Sequence, residues 1–181
     1  MPRRWFLFLP NLISLARLVL VPVAVDMIAL HRWAEALAIF LIAGLSDALD
    51  GWVARRFDLR SELGAYLDAL ADKALLICNY VALAIVGATP MWLALLVVSR
   101  DIMIMGAVLL SWLVDKPMEI KPLWISKANT FAQIGFVVAL LASLAFGGPQ
   151  GWVESGEAIV AALTLASLGA YFRRWMTHMS A

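Results

Sequence analysis

Charged residues are scarce in this chain. They make up 15% of its 181 residues, against roughly a quarter in an ordinary soluble domain, while 64% of the residues are hydrophobic. Most of the surface must therefore face something other than water, and no nucleic-acid partner is expected. Cysteine is scarcer still. Cys78 is the only one, so an internal disulfide is excluded, and we expect this residue to pack in its apolar surroundings.

The apolar residues fall into six runs, each long enough for a helix that crosses a bilayer. A spanning helix satisfies its own backbone hydrogen bonds, and the runs lack the alternation of barrel strands. We therefore expect an all-α integral membrane protein with six transmembrane helices and one domain over residues 1–181, made of an interfacial segment (1–9) and a six-helix bundle (10–176). The runs are Asn11–Leu30, Trp33–Val53, Leu63–Val86, Met91–Val114, Leu123–Phe146 and Val153–Tyr171.

Lysine and arginine are concentrated on one side of this predicted bundle, which indicates its orientation. With six spans, both termini and the second and fourth connections share that side, so both termini are expected to be cytoplasmic. The absence of a long presequence before the first run favours a bacterial cytoplasmic (inner) membrane over a mitochondrial one. The basic residues are Arg3, Arg4, Arg55, Arg56, Arg60, Lys116, Lys121, Lys127, Arg173 and Arg174.

Four aspartates lie inside the predicted helices, where ionisable groups are costly and usually functional. Asp47 and Asp50 are three residues apart, and Asp68 and Asp72 are four apart, so each pair shares one helix face. Four carboxylates at close range need shared protons or bound cations, and a site of this kind can hold two hard ions for phosphoryl chemistry. An intramembrane cation transporter is the alternative from another class, since acids in membranes also line ion pathways.

The aspartates belong to a longer pattern, in which D-A-L-D-G-W-V-A-R from Asp47 is followed, after eight residues, by G-A-Y-L-D-A-L-A-D. This resembles the signature of the CDP-alcohol phosphotransferases, and every specified position matches. The resemblance implies a homodimeric enzyme with two divalent ions, Mg²⁺ or Mn²⁺, near the cytoplasmic side. It implies that Asp72 is the general base and that the metal ligands are Asp47, Asp50, Asp68 and Asp72. The residues implied to bind CDP are Asp47, Asp50, Gly51, Ala54, Arg55, Gly64 and Asp68.

Three further stretches resemble particular branches of that family. Pro10–Arg17 is similar to the branch that makes phosphatidylglycerophosphate and cardiolipin. Ser99–Asp101, and Ile125–Thr130 followed by Gln133, look most like the CMP-forming cardiolipin synthases. This likeness implies transfer of a phosphatidyl group from CDP-diacylglycerol to the hydroxyl of phosphatidylglycerol, giving cardiolipin and CMP. Transfer to glycerol 3-phosphate, as in a phosphatidylglycerophosphate synthase, is the alternative.

Basic side chains on three predicted helices fit an anionic phospholipid as acceptor. Two other interpretations stay open at this point. Arg100 can pair with Asp101 or with a site aspartate as a structural element, and Lys127 can simply extend to the membrane interface. The predicted acceptor-binding residues are Arg17, Arg100, Lys127 and Asn129.

Overall fold

The computed structural model is helical throughout the part of the chain that it describes. It describes the backbone of residues 9–56, 62–113 and 123–179, and the side chains of 15–46, 71–107, 113 and 123–177. The predicted six helices are confirmed, and no strand occurs within these ranges. The helices are α1 (Leu9–Ala29), α2 (Trp33–Arg56), α3 (Glu62–Ile85), α4 (Met91–Leu113), α5 (Trp124–Phe146) and α6 (Val153–Met179). Residues 1–8 of the predicted interfacial segment and the basic connections at 57–61 and 114–122 lie outside the described ranges.

Tight turns in the left-handed region follow three of the helices. His31, Gly87 and Gly147 have φ values of 57°, 77° and 66°. The two glycines adopt this conformation without a Cβ penalty. After α5, the Gly148 amide donates to the Ser143 carbonyl at 2.8 Å, and this contact closes the last turn of the helix. Such short connections make α1 antiparallel to α2, α3 to α4, and α5 to α6.

The last helix is longer than its apolar run. The sequence predicts an end near Tyr171, because Arg173 and Arg174 interrupt the hydrophobic pattern, whereas α6 continues to Met179. Neither glycine nor proline follows Tyr171 within the helix, and the Thr177 hydroxyl donates to the Arg173 carbonyl at 3.0 Å. Hydropathy therefore marked the end of the apolar run, while the backbone stays helical for two further turns.

The helices form a ring in the order α1, α3, α4, α6, α5, α2, and α3 also contacts α5 across the ring. The Tyr80 ring of α3 stacks on Phe136 of α5, with centroids 6.4 Å apart, and Trp152 meets Phe136 edge-on at 5.8 Å. These rings join three parts of the chain inside the core. Other side chains that are fully buried there are Ile28, Leu83, Leu93, Val97, Val137, Leu140, Leu141 and Val160.

Large apolar side chains also cover the outside of the bundle. Leu45, Ile85 and Phe131 are 63%, 71% and 76% exposed, and extended apolar surfaces of this kind are rare on soluble monomers. Within the described residues, Trp124–Phe146 and Val153–Thr177 are long and apolar enough to cross a membrane. The exterior and these two helices agree with a membrane location.

Candidate functional site

The last aspartate of the signature, Asp72, lies on α3 and meets Arg17 of α1. Arg17 donates from Nη1 to Oδ1 of Asp72. The two side chains differ in exposure, at 1% for Arg17 and 47% for Asp72. The carboxylate is therefore accessible while a buried guanidinium holds it from behind, and the opposite charge offsets part of the free-energy cost of burying Arg17. Arg17 was predicted to bind the acceptor, and the structure places it against the predicted base.

The other signature residues lie on the same pair of helices as their spacing predicted. The α2 range contains Asp47 to Arg55, and the α3 range contains Gly64 and Asp68, but the side chains of all of these lie outside the described residues. Among the described side chains, no three of His, Cys, Asp or Glu come together as a metal site. The metal-binding and CDP-binding assignments of Asp47, Asp50, Gly51, Ala54, Arg55, Gly64 and Asp68 thus stay predictions.

Arg100 of α4 is held in a buried polar network. Its Nη1 donates to Asp101 at 2.5 Å, and its Nη2 donates to the Ser126 hydroxyl of α5. Nε and Nη2 both donate to the Ser167 hydroxyl of α6, at 3.3 and 3.0 Å. The guanidinium carbon also lies 5.8 Å from the centre of the Tyr171 ring. The pairing with Asp101 that the sequence left open is therefore present, and three helices converge on this arginine.

Lys127 and Asn129 point to different surroundings, although they are two residues apart on α5. Lys127 is exposed, and its ammonium lies 5.1 Å from the centre of the Trp124 ring. Asn129 is fully buried, and its Oδ1 accepts a hydrogen bond from the Thr164 hydroxyl at 2.9 Å. Its Nδ2 has no acceptor among the described residues. Lys127 thus lies at the surface near the start of α5, while Asn129 presents an amide inside the bundle.

The two arginine networks lie at a similar height in the bundle. The Tyr80 hydroxyl of α3 donates to the Gln133 carbonyl of α5 at 3.2 Å, which aligns these two helices. Asp72 precedes Tyr80 by about 12 Å of helix, and Ser126 precedes Gln133 by about 10 Å, at 1.5 Å per residue. Because α3 and α5 run in the same direction, Asp72 with Arg17 and Ser126 with Arg100 occupy one layer.

The last helix contributes polar residues that were not predicted from the sequence. Thr164, Ser167 and Tyr171 of α6 are 0%, 0% and 8% exposed, and their spacing places them on one face of the helix. Gln133 of α5 also donates to the Thr164 hydroxyl, at 3.3 Å. Hydroxyl residues at helical spacing within an apolar run were the available signal. It indicates a buried polar stripe but not the arginine and asparagine that the stripe contacts.

Comparison with known proteins identifies relatives that match most of the bundle. The profile of the CDP-alcohol phosphatidyltransferase family matches residues 7–169. The human CMP-forming cardiolipin synthase is 36% identical over 154 residues, which cover 76% of this chain and 51% of that protein. A rice chloroplastic CDP-diacylglycerol–glycerol-3-phosphate 3-phosphatidyltransferase is 34% identical over an alignment of 188 positions, which covers 93% of this chain and 57% of that protein. A putative cardiolipin synthase of Mycobacterium tuberculosis is 32% identical over 138 residues, with 75% and 65% covered.

The chain spans about half the length of the human relative and somewhat more of the others. The family profile nevertheless covers most of the bundle, from before the start of α1 into α6. It includes the aspartate signature, the Arg17–Asp72 contact and the Arg100 network. This chain therefore belongs to the CDP-alcohol phosphatidyltransferase family.

Proposed function

We propose that the protein transfers the phosphatidyl group of CDP-diacylglycerol to the free hydroxyl of phosphatidylglycerol, giving cardiolipin and CMP. The observation that carries the proposal is the accessible Asp72 carboxylate held by buried Arg17. A general base must reach the acceptor hydroxyl and keep its orientation during proton transfer, and this contact supports both requirements. The relatives named as cardiolipin synthases support the choice of acceptor.

In the proposed reaction, Asp72 accepts the proton of the acceptor hydroxyl. The hydroxyl oxygen then attacks the phosphorus next to the diacylglycerol and forms a new P–O bond. The bond between that phosphorus and the oxygen shared with the CMP phosphate breaks, and CMP leaves with the electron pair. Arg17 keeps the Asp72 carboxylate in place, because the guanidinium that donates to it is buried and surrounded by the bundle.

The predicted donor set fits two divalent cations. Carboxylate oxygens are the hard ligands that Mg²⁺ and Mn²⁺ prefer, and Asp47, Asp50, Asp68 and Asp72 supply four carboxylates on two helices. When bound, such ions would stabilise the negative charge that develops on the pyrophosphate. We assign the cytidine diphosphate to the same region, bordered by Gly51, Ala54, Arg55 and Gly64.

The proposed acceptor site lies at the start of α5. Arg100 reaches Ser126 in the layer of Asp72, and Lys127 lies exposed one residue further along the chain. These two cations would attract the phosphodiester of an anionic phospholipid, since charged donors bind phosphate oxygens strongly. Asn129 adds a buried amide one turn deeper, whose Nδ2 can donate to the glycerol headgroup.

We place the protein in the bacterial inner membrane as a bundle of six spans, with both termini and the active site on the cytoplasmic side. The helices contain 21 to 27 residues, which corresponds to roughly 30–40 Å and is enough for a hydrocarbon core of roughly 30 Å. The lysine and arginine distribution supports the orientation. A homodimer is proposed from the family resemblance.

Two other functions receive different degrees of support. A phosphatidylglycerophosphate synthase is favoured by the rice relative, and by a probable enzyme of that name from Mycobacterium tuberculosis that is 35% identical over 133 residues. A cation transporter requires polar groups that continue to the far side of the membrane. Beyond Asp72, the described buried side chains of α3 are apolar apart from Asn79 and the phenol of Tyr80, so the described part of α3 offers no acidic path.

The acceptor assay separates the two enzymes. Purified protein in phospholipid-detergent micelles receives CDP-diacylglycerol with either phosphatidylglycerol or glycerol 3-phosphate, and lipid products and CMP are measured. We expect cardiolipin from the first mixture. Phosphatidylglycerophosphate from the second mixture, with no product from the first, would replace the proposed function by its alternative.

Removal of divalent metal is expected to stop the reaction. EDTA in excess should reduce CMP release to background, and Mg²⁺ or Mn²⁺ added beyond the chelator should restore it, because the carboxylates alone leave the pyrophosphate charge uncompensated. Calcium-loaded EDTA is the control for effects of the chelator itself. An unchanged rate under metal-free conditions would refute the two-metal assignment.

A further inference from the structure

The most extensive hydrogen-bonded contacts between helices in the described part of the chain centre on α6, which has no residue in the signature. Thr164 bonds to Asn129 and Gln133, while Ser167 bonds to Arg100 through two of its nitrogens. Both hydroxyl residues have no exposed surface. Thr164 and Ser167 therefore contact Asn129 and Arg100, the two buried residues of the proposed acceptor site.

We infer that Ser167 and Thr164 are positioning residues that set acceptor affinity, Ser167 by orienting the Arg100 guanidinium and Thr164 by orienting the Asn129 amide. This inference rests on the proposed function, because it assigns both target residues to the acceptor side. Neither hydroxyl needs to touch the lipid. They make α6 the element that determines how tightly the anionic headgroup is held.

Geometry gives Ser167 this role. A guanidinium has five N–H donors in a fixed plane, so two bonds to one oxygen fix the orientation of that plane. Asp101 holds Nη1, and Ser126 shares Nη2, so the plane is anchored from α4, α5 and α6 together. Loss of the Ser167 hydroxyl removes the bond to Nε and one of the two bonds to Nη2, so only Asp101 and Ser126 still hold the guanidinium and its orientation is less restricted.

Thr164 acts on the amide in a different way. Its hydroxyl donates to Asn129 Oδ1, which fixes which end of the amide is the oxygen and directs Nδ2 away from α6. The Gln133 amide donates to the same hydroxyl, so the threonine oxygen is itself held in place. An amide fixed in this manner presents a donor to the bundle interior, as an acceptor hydroxyl or phosphodiester requires.

Ordinary helix packing predicts a different outcome from acceptor positioning. Hydroxyls between membrane helices often contribute only to association, and then their removal lowers stability without selecting one substrate. Ser143 of α5 provides a matched comparison for Ser167, because both are buried serines, at 8% and 0% exposed. The Ser143 hydroxyl donates to the Pro149 carbonyl and accepts from the Gln150 amide, near the opposite end of the bundle. Ser143→Ala removes a buried hydroxyl with two partners, far from Arg100.

The test measures KM for each substrate in Ser167→Ala, Ser167→Thr and Ser143→Ala. We expect Ser167→Ala to raise the KM for the acceptor by about tenfold or more, as the loss of a hydrogen bond to a charged group predicts, with the KM for CDP-diacylglycerol unchanged. Ser167→Thr should restore the acceptor KM, since it keeps the hydroxyl. Ser143→Ala should change neither KM. Equal changes for both substrates, or an unchanged acceptor KM in Ser167→Ala, would overturn the positioning role.

The same measurements keep the two proposals apart. If the wild-type enzyme uses glycerol 3-phosphate and not phosphatidylglycerol, the proposed function fails, and the acceptor KM is then compared with glycerol 3-phosphate. If it uses neither, thermal stabilisation by added phosphatidylglycerol is compared between wild type and Ser167→Ala. A smaller stabilisation in the variant supports positioning of an anionic headgroup, and equal stabilisation refutes it.

Discussion

Asp72 combines two properties at the scale of a single residue, an exposed carboxylate and a buried cationic partner. Replacing it with asparagine keeps its size but removes both the base and the charge that faces Arg17. We expect CMP release to fall by at least about 100-fold, because a positioned general base contributes roughly 10²–10⁴-fold. The release of CMP from CDP-diacylglycerol in the presence of phosphatidylglycerol measures the effect.

The control is Asp26→Asn, which changes an exposed carboxylate of α1 and should leave the rate unchanged. Arg17→Gln combined with Asp72→Asn removes both charges of the contact, so it should recover stability lost in Asp72→Asn without recovering activity. Full activity of Asp72→Asn would show that another group takes the proton.

The Arg100 network shows which residue contacts a sequence can predict. The neighbouring Asp101 was an evident candidate for pairing, because the two residues are adjacent in the chain. The bonds to Ser126 and Ser167 depend on how α4, α5 and α6 are rotated and shifted against one another, and hydrophobic pattern alone does not determine that register. The same reason explains why Arg17 was assigned to the acceptor when its described partner is Asp72.

Asp101→Ala tests the energetic role of the buried pair. Arg100 and Asp101 have side chains only 8% and 10% exposed, so removing the carboxylate leaves a buried guanidinium without its counter-charge. We expect the free energy of unfolding to fall by about 3 kcal/mol or more, measured by titration with a denaturing detergent.

The matched comparison is the surface pair Arg32–Glu35, whose side chains are 53% and 46% exposed. Glu35→Gln should leave the unfolding midpoint within experimental error, because water screens and solvates an exposed pair. An equal effect of both substitutions would show that burial does not set the strength of the Arg100 pair.

At the scale of the helices, apolar runs bounded by turn residues predicted all six elements, and most ends agree within a few residues. The agreement follows from physical signals that are local in sequence, such as Gly87 with Pro90 and Gly147 with Pro149. The end of α6 differed because hydropathy and helical propensity change at different places. The ring order of the helices could not be derived from such signals, since it depends on which faces pack together.

Gly156 of α6 tests that packing. A Cβ at this position would lie 2.8 Å from Cδ2 of Phe136, a ring that is itself confined by Tyr80 and Trp152. We expect Gly156→Ala to lower the free energy of unfolding by about 1–2 kcal/mol, because overpacking exceeds the gain in helix propensity. The thermal unfolding midpoint of the purified protein measures the change.

Gly169→Ala on the same helix provides the control, because a Cβ there meets nothing within 4 Å. It should be neutral or slightly stabilising, since alanine favours helix over glycine. If Gly156→Ala left the unfolding midpoint as little changed as Gly169→Ala, α5 and α6 would not approach each other as closely at Phe136 as the structure shows.

At the scale of the whole molecule, the unusual feature is an apolar outside around a partly polar inside. Arg17, Arg100, Asp101 and Asn129 are buried, while Leu45, Ile85 and Phe131 are exposed. A lipid environment explains this distribution, because hydrocarbon accepts the apolar exterior and the polar groups find partners within the bundle. The proposed orientation puts the layer of Asp72 and Arg100 on the cytoplasmic side, where the positive-inside rule predicts most of the lysine and arginine.

That orientation can be tested with single cysteines, because Cys78 is the only native one. In a Cys78→Ala background, Ser155→Cys and Thr177→Cys place exposed thiols at opposite ends of α6, and Pro2→Cys marks the N-terminus. A membrane-impermeant maleimide should label Ser155→Cys in intact bacterial cells, whereas the other two should react only after permeabilisation. The Cys78→Ala protein alone gives the background.

Labelling of Ser155→Cys and Thr177→Cys from the same side would mean that α6 does not cross the membrane. Labelling of Pro2→Cys and Thr177→Cys from opposite sides would exclude an even number of spans.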